Sequence, residues 1–341
     1  MKTNTLTKIS LSIAGILMTV SAEAKADCPA TPSCTKPCGP DYACDPCDSS
    51  PYCGPHCMPA PYCREVNLKG EALYWIAQLG GLESAFGSTT IATTVAPGVT
   101  TTTVTESDEP PEFEWNLGFR VGLEYALSCN VLEADWTHYD GHATFSQGVQ
   151  NGHWNLEYDT IDLIYGRRCC VSSCFLFKPF IGARGLRIRQ NLFSHIGILY
   201  TALIGNNTVF TNLNDKEKVW GVGPEIGVEA DWYLGKNFSL YGSFDVVTYY
   251  GHFMGTYLDS DIFTTTVSNN NSRISHDFNV IGTDLALGVR WDKAWPIASE
   301  GLLSFKAGLE QHRIYDISKL GTDGTLSLDG AVFMASVGYR Y

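Results

Sequence analysis

The last eleven residues of the chain alternate between two kinds of side chain, and this restricts the fold more than any other feature. Tyr341, Tyr339, Val337, Ala335, Phe333 and Ala331 form one row, while Arg340, Gly338, Ser336, Met334 and Val332 form the other. Side chains along a strand point to opposite faces with a period of two, so the first row suits an apolar surround and the second a small or polar enclosed space. These are the expected lipid face and lumen face of one wall. The competing reading is the edge strand of a soluble sandwich.

The start of the chain separates these readings. Lys2 and Lys8 precede an apolar run from Ile9 to Val20, and Ala22-Glu23-Ala24 and Ala24-Lys25-Ala26 follow as small-residue cleavage sites. Such a run is too short to cross a bilayer as a helix, so residues 1–26 read as a cleaved secretory signal, cut after Ala26. Cys28 follows Ala26-Asp27, which lacks the small-residue pattern that lipid attachment needs. Beyond the signal no segment offers a long uncharged apolar run, which excludes a helical membrane protein. An exported chain of this kind crosses a membrane only as a closed barrel, because every backbone group in hydrocarbon must be paired.

Composition fits that expectation. The chain is 44% hydrophobic with 33 glycines and many aromatics, as expected for a wall that is apolar outside, polar inside and ringed by aromatic girdles. The formal charge of −13 becomes two units more negative once a signal carrying Lys2, Lys8, Lys25 and Glu23 is removed. Nucleic acid is thereby excluded as a partner, since its phosphates need a basic surface.

Residues 27–65 hold 8 of the 12 cysteines and 9 of the 15 prolines and have no strand or helix period. Cys28, Cys34, Cys38 and Cys44, then Cys47, Cys53, Cys57 and Cys63, repeat the spacing Cys-x5-Cys-x3-Cys-x5-Cys. Two copies of a unit too small to bury a core must be held covalently, and an oxidising destination favours disulfides. Zinc modules show paired Cys-x2-Cys knuckles, and only Cys44 and Cys47 have that spacing. The pairing stays open, because eight cysteines allow about 105 connectivities. This segment reads as an irregular Cys-rich arm.

From Val66 the pattern becomes that of strands, giving a domain of residues 66–341. Alternation predicts strands over 66–76, 115–125, 130–139, 154–165, 175–188, 219–233, 238–250, 278–291, 302–312 and from Ala331 to the end. The apolar row of 154–165 slips phase between Tyr158 and Ile161, which suggests a bulge. The fold class is therefore all-β, a transmembrane antiparallel β-barrel of about ten strands, an even number as such barrels require. Residues 189–217 and 251–276 are long enough to add a pair each, giving twelve or more.

Short links at 126–129, 166–174, 234–237 and 292–301 alternate with long ones at 77–114, 140–153, 189–218, 251–277 and 313–330. Short turns belong to the periplasmic side, so the arm and the C-terminus are expected in the periplasm. Cys129, Cys169, Cys170 and Cys174 fall in or beside these short turns. Every thiol is then expected in one oxidising compartment, where arm and turns can join within the barrel, to a second copy, or to neighbouring envelope proteins. The plainer alternative is an arm linked only to itself.

Parity assigns the inward side chains. The acidic ones are Glu71, Glu124, Glu133, Asp135, Glu157, Asp159, Glu225, Glu229, Asp231, Asp245, Asp284, Asp292 and Glu310; the basic ones are Lys69, Arg120, Lys178, Arg184, Arg290, Lys306 and Arg340. From this set Arg120, Glu124, Glu133, Asp135, Glu225, Glu229, Asp245, Asp284, Arg290, Lys306 and Glu310 are the candidate pore-lining residues. The acidic excess predicts passive diffusion of small solutes and ions with a mild preference for cations. The alternative is that these charges pair with one another and close a narrow lumen, leaving a scaffold or adhesin. His138, Asp140 and His142 with Asp135 form the best acid/base set, but no serine in a nucleophile motif accompanies them, so no enzyme is expected, nor any cofactor or metal. The loop from Gln78 to Pro111, with Thr100 to Thr103, is too polar to pack and suits contact with a host surface, without naming a ligand.

These strands also carry a resemblance. A final strand ending on an aromatic resembles the assembly signal of bacterial outer-membrane barrels. Ala72-Leu73-Tyr74-Trp75 with Gly81-Leu82, Ala134-Asp135-Trp136-Thr137-His138-Tyr139, Trp220-Gly221-Val222-Gly223-Pro224, Asp231-Trp232-Tyr233-Leu234-Gly235, Leu287-Gly288-Val289-Arg290-Trp291-Asp292 and Glu310-Gln311-His312 resemble the pore-forming, major-outer-membrane-protein-like family of Legionella and chlamydia-like bacteria. The resemblance runs from Val66 to Tyr341. It implies a porin-like outer-membrane barrel, abundant at the surface and in some members tied to host-cell contact. The twin cysteine repeat is not part of the family motif; it is similar to the disulfide-linked envelope of chlamydiae, an analogy that favours cross-linking.

Overall fold

The computed structural model describes residues 64–80, 112–127, 129–147, 150–172, 175–202, 205–263, 266–295, 301–318 and 324–340. The signal and nearly all of the arm lie outside these residues. The strands are β1 (Arg64–Leu79), β2 (Glu112–Phe113), β3 (Trp115–Leu127), β4 (Asn130–Gln147), β5 (Gln150–Arg167), β6 (Cys169–Ser172), β7 (Phe175–Ala202), β8 (Gly205–Gly235), β9 (Phe238–Phe263), β10 (Thr266–Trp295), β11 (Gly301–Ile314) and β12 (Leu326–Arg340). Each long strand pairs antiparallel with its neighbours, β4 joins β5, and β12 returns to β1. The result is a closed barrel of ten strands. The two short strands are accessory, β2 laid on β4 and β6 on β7.

Closure follows from the terminal alternation. Glu65 stands opposite Arg340 and Leu79 opposite Leu326, so the last strand is zipped to the first along its whole length. Phe333, Val337 and Tyr339 face out, whereas Val332, Met334 and Ser336 are buried inside. The same parity places Leu68, Leu117, Leu123, Ile161, Leu163, Ile181, Val222, Leu287 and Leu309 on the exterior. An apolar exterior over a charged interior is the arrangement that hydrocarbon imposes on a membrane barrel.

Two aromatic girdles bound this belt. At the end where β1 begins and β12 finishes lie Tyr165, Trp232, Phe238 and Tyr339, with Trp291 stacked on Phe305 at 5.9 Å. At the far end Tyr74 stacks on Trp115 at 5.2 Å and Trp136 meets Phe119 edge-on at 5.2 Å, with Trp220 and Tyr250 beyond them. Along β8 the girdles are marked by Trp232 and Trp220; twelve steps of ~3.3 Å, tilted by ~40°, project to about 30 Å, close to the height of a hydrocarbon core.

The strands do not stop at the far girdle. Residues 189–217 and 251–276 form no additional strand pair; they extend β7 into β8 and β9 into β10, paired from Ala202 opposite Gly205 and from Phe263 opposite Thr266 down into the belt. Residues 140–153 likewise extend β4 and β5. At the other end the turns are tight: Gly235, Lys236 and Asn237 all take positive φ, a left-handed run that joins β8 to β9. The register shift between Tyr233 and Gly235 belongs to the same turn.

No bulge interrupts β5. Its pairings with β4 and β7 run without a shift, and the apparent phase slip has another cause. Trp154, Leu156 and Tyr158 point inward and are buried, whereas Ile161, Leu163 and Tyr165 point outward to the belt. The apolar row changes face where the strand leaves the membrane. As a consequence Glu157 and Asp159, assigned inward by parity counted from the Trp154, Leu156 and Tyr158 row as if it faced lipid, lie on the outer face.

The belt makes a quantitative prediction. Leu287 is 67% exposed and paired with Leu309 near mid-height. Leu287→Arg should cost about 2–4 kcal/mol in reversible urea unfolding from phospholipid vesicles.

Candidate functional site

The interior of the barrel is the candidate site, and it has two layers. Within the belt the inward rows carry charge. Lys69 on β1 pairs with Glu133 and, at 2.9 Å, with Asp135 on β4; Lys178 on β7 reaches Glu133 at 3.2 Å and Glu229 at 2.7 Å. Gly122 makes room for this group, since a Cβ there would sit 1.8 Å from an Asp135 carboxylate oxygen. Nearer the termini Arg168 pairs with Glu124 at 2.5 Å, and Asn67 donates to Glu65 at 2.8 Å and to Glu124 at 3.0 Å.

Arg120 on β3 binds Glu310 on β11 through two N–H···O contacts of 3.1 Å, holds Glu71 at 2.5 Å, and donates from Nε to Thr137 at 3.0 Å. A bidentate guanidinium of this kind fixes geometry as well as charge. Arg184 on β7 carries the largest anionic load, pairing with Asp162 and Asp284, with Glu225 at 2.8 Å and with Asp245 at 3.6 Å. His312 joins the two arginine centres, with Nδ1 2.9 Å from Asp284 and Nε2 3.2 Å from Glu310. Arg290 pairs with Asp231 at 3.1 Å and with Asp292 at 3.0 Å, and Lys306 lies over the Tyr241 ring at 5.1 Å. These groups come from strands all around the wall. Their pairing ties together strands that are not hydrogen-bonded neighbours, β7 to β10 and β3 to β11.

The second layer is apolar and begins at the far girdle. Leu73, Trp75, Ala77 and Leu79 of β1, Tyr139 of β4, Trp154, Leu156 and Tyr158 of β5, Ile188 of β7, Val219 of β8, Val247, Tyr249 and Phe253 of β9, and Leu326, Leu328 and Val332 of β12 form one buried cluster. Trp75 and Trp154 are 0% exposed, and Tyr139 and Tyr249 at most 1%. Trp75 packs against Tyr139 at 5.6 Å and against His312 at 4.7 Å, so the apolar layer rests directly on the charged one. Some polar atoms within it are paired, Tyr139 donating to the Trp75 carbonyl at 3.0 Å and Trp154 Nε1 to Gln190 at 3.0 Å, while Trp75 Nε1 and Gln190 Nε2 are buried without a hydrogen-bond partner among the described residues.

Each candidate lining residue, Arg120, Glu124, Glu133, Asp135, Glu225, Glu229, Asp245, Asp284, Arg290, Lys306 and Glu310, projects into the interior. Most meet a partner of opposite charge there. The set His138, Asp140, His142 and Asp135 is split: Asp135 faces inward to Lys69, while His138 lies outside, 2.8 Å from Asp159 and 3.4 Å from Asp140. Reading one strand at a time also misses a row formed across β9 and β10, where His252 Nδ1 lies 2.8 Å from Asp277 and Ser275 Oγ 2.9 Å from His252 Nε2. The order is that of a nucleophile relay, and with Asp277 65% exposed the row lies open to water.

Of the cysteines, Cys129 and Cys169 are described, at adjacent turns where the Arg168 N–H donates to the Cys129 carbonyl at 2.6 Å. Both lie at the end bearing the termini. Cys170 enters β6, and Cys174 and the arm cysteines lie outside the described residues.

A closed ten-strand barrel with a lipid-facing belt, two girdles and a charged interior is the architecture of an outer-membrane protein. The chain belongs to the family of the Legionella pneumophila major outer membrane protein precursor, whose sequence profile matches residues 60–321. No curated protein matches the chain. Among solved structures it is similar to the outer membrane protease OmpT from Escherichia coli, at 9% identity and a TM-score of 0.40, over 81% of this chain and 97% of that one. A Pseudomonas aeruginosa FadL homologue matches at 10% identity and a TM-score of 0.30 over 83% and 93%, and OprG from the same organism at 11% and 0.20 over 83% and 97%. The chain is thus an outer-membrane barrel of this family.

Arg184 makes the charged layer testable. Removing it strands several carboxylates that are otherwise paired, so Arg184→Met should destabilise the barrel by about 3–5 kcal/mol in urea unfolding. Adding Asp284→Asn and Glu225→Gln to that variant should recover part of the loss.

Proposed function

We propose that this barrel serves the outer membrane as a closed surface and envelope-scaffold protein, with its far end outside the cell and its termini in the periplasm. The observation that carries the reading is the apolar layer: four aromatic side chains with almost no exposure, Trp75, Tyr139, Trp154 and Tyr249, fill the interior above the ion pairs. Water and ions need a continuous polar path, and a dry layer of this kind interrupts one. The orientation is supported by the tight turns at the end bearing the termini and the long hairpins opposite.

A second reading, passive diffusion of small solutes and ions with mild cation preference, is favoured by family membership and by the excess of inward carboxylates at membrane depth. It requires the apolar layer to part. Planar-bilayer recordings of the purified full chain separate the two readings. The scaffold reading expects a silent bilayer, with Trp75→Ala and Tyr139→Ala together producing steps whose reversal potential in a salt gradient favours cations. Steady steps from the unaltered protein would replace it with the pore.

The arm is proposed to remain periplasmic and to join the envelope through disulfides. Its last cysteine, Cys63, immediately precedes Arg64, which stands opposite Leu127, two residues from Cys129. Electrophoresis of native envelopes should therefore show species of reduced mobility that collapse to monomer on reduction, and peptide mapping should join arm cysteines to Cys129, Cys169, Cys170 or Cys174. A monomer band under both conditions excludes links between chains.

A further inference from the structure

From the far girdle outward the outer faces of β4, β5, β7, β8 and β9 form rows across the strands, because each residue stands directly opposite its neighbour. The lowest row reads His138, Asp159, Arg187, Trp220 and His252; the next reads Asp140, Glu157, Arg189, Lys218 and Met254; the third reads His142, Asn155, Asn191, Lys216 and Thr256. Charge is sorted along them. Carboxylates gather on β4 and β5, cations on β7 and β8.

On the carboxylate side Glu157 answers Arg189 at 2.9 Å, while Arg187 reaches Glu157 at 3.9 Å and Asp159 at 4.0 Å. On the other side Lys216 and Lys218 have no carboxylate within ion-pair distance among the described residues, their β9 neighbours being Thr256 and Met254. Arg189 and Lys218 stand directly opposite each other, and like charges so placed repel unless an anion sits between them. Arg189, Lys216 and Lys218 line a cleft of about 440 Å³ on the outer wall together with Asn155 and Asn191, and Asp140 and Glu157 close its carboxylate side.

The height of the patch selects the anion. Lys218 is two residues above Trp220 on the same face, and Lys216 two more, so the cations lie on the order of 5–10 Å above the aromatic girdle. Lipid phosphates lie at that height. Directly below, Trp220 and Val222 are exposed to the acyl layer. We propose that Arg187, Arg189, Lys216 and Lys218 bind a phosphate of an anionic lipid headgroup, with the lipid's chains lying on Trp220 and Val222. Guanidinium groups supply paired donors to phosphate oxygens, and the lysines supply point charge. In the orientation proposed above, the lipid is a phosphorylated glycolipid of the outer leaflet.

The test places the full-length barrel in phosphatidylcholine nanodiscs doped with bisphosphorylated lipid A and counts retained lipid by native mass spectrometry. In a symmetric disc the patch meets headgroups whichever way the barrel inserts, so the result does not depend on the orientation. The unaltered barrel should retain lipid A in the presence of inorganic phosphate, and lipid A stripped of phosphate should not be retained. Lys216→Gln with Lys218→Gln orphans no carboxylate; at about one kilocalorie per lysine near an anionic surface, it should weaken retention about 30-fold while heat-modifiable gel mobility stays unchanged. Equal retention by the double variant, or of the stripped lipid, overturns the proposal. Displacement by inorganic phosphate overturns it too, since the site would then take a free anion and not a lipid.

Discussion

A single change of solvent along the barrel wall governs the structure. Below the far girdle the outside is hydrocarbon, so apolar side chains face out and every polar group must be satisfied within. Above it the outside is water, and the preference reverses. β5 shows the reversal within one unbroken strand: Tyr158 is buried inside, and three residues later Ile161 faces outward to the belt, 58% exposed. β8 does the same between Val219, inside, and Trp220 and Val222, outside. The barrel is a membrane protein and a water-soluble barrel fused end to end, and the shared strands need no break at the joint.

This arrangement explains how so much charge is tolerated in the membrane half. A ten-stranded wall encloses space that side chains can fill, so each inward cation lies within reach of carboxylates from several strands. Arg184 gathers four of them, Arg120 takes a bidentate partner from β11 on the opposite side of the seam, and His312 links the two centres. Such pairs contribute little net stability against a hydrophobic core, but they dictate which strands face one another. The apolar layer above supplies the burial that the charged layer lacks. Trp75, resting on His312 and within 5.8 Å of the Arg120 guanidinium, is the contact between the two.

Much of this was legible in the sequence. The period-two rows located β3 to within two residues at its end and β12 except for its first five residues, because lipid on one face and charge on the other leave no ambiguity of phase. The inward identity of Arg120, Asp135, Arg184, Asp284 and Glu310 followed from the same parity. What failed, failed at the solvent change. Glu157 and Asp159 were assigned inward because parity was counted from an apolar row that had already moved to the other face, and the move was taken for a bulge. The far extensions of β7 to β10 read as loops, since polar residues on both faces, as in Asn206 to Thr208 or Asn269 to Ser272, carry no period. The ion-pair partners and the Ser275, His252 and Asp277 row depend on register between strands, which one strand's pattern does not encode.

The two-layer interior has a consequence for how such a surface protein can change over generations. The hairpins of β7 with β8 and of β9 with β10 rise beyond the packed aromatic layer, and their register is already fixed beneath them by Trp154, Ile188, Val219 and Phe253. Substitutions, insertions or deletions at the tips therefore meet a boundary that absorbs them before they reach the membrane. In the orientation proposed above, an outside factor that reads these hairpins would impose pressure on a region whose change leaves the membrane belt intact. The apolar layer acts as a mutational firewall between the far hairpins and the part of the chain that must assemble in the membrane.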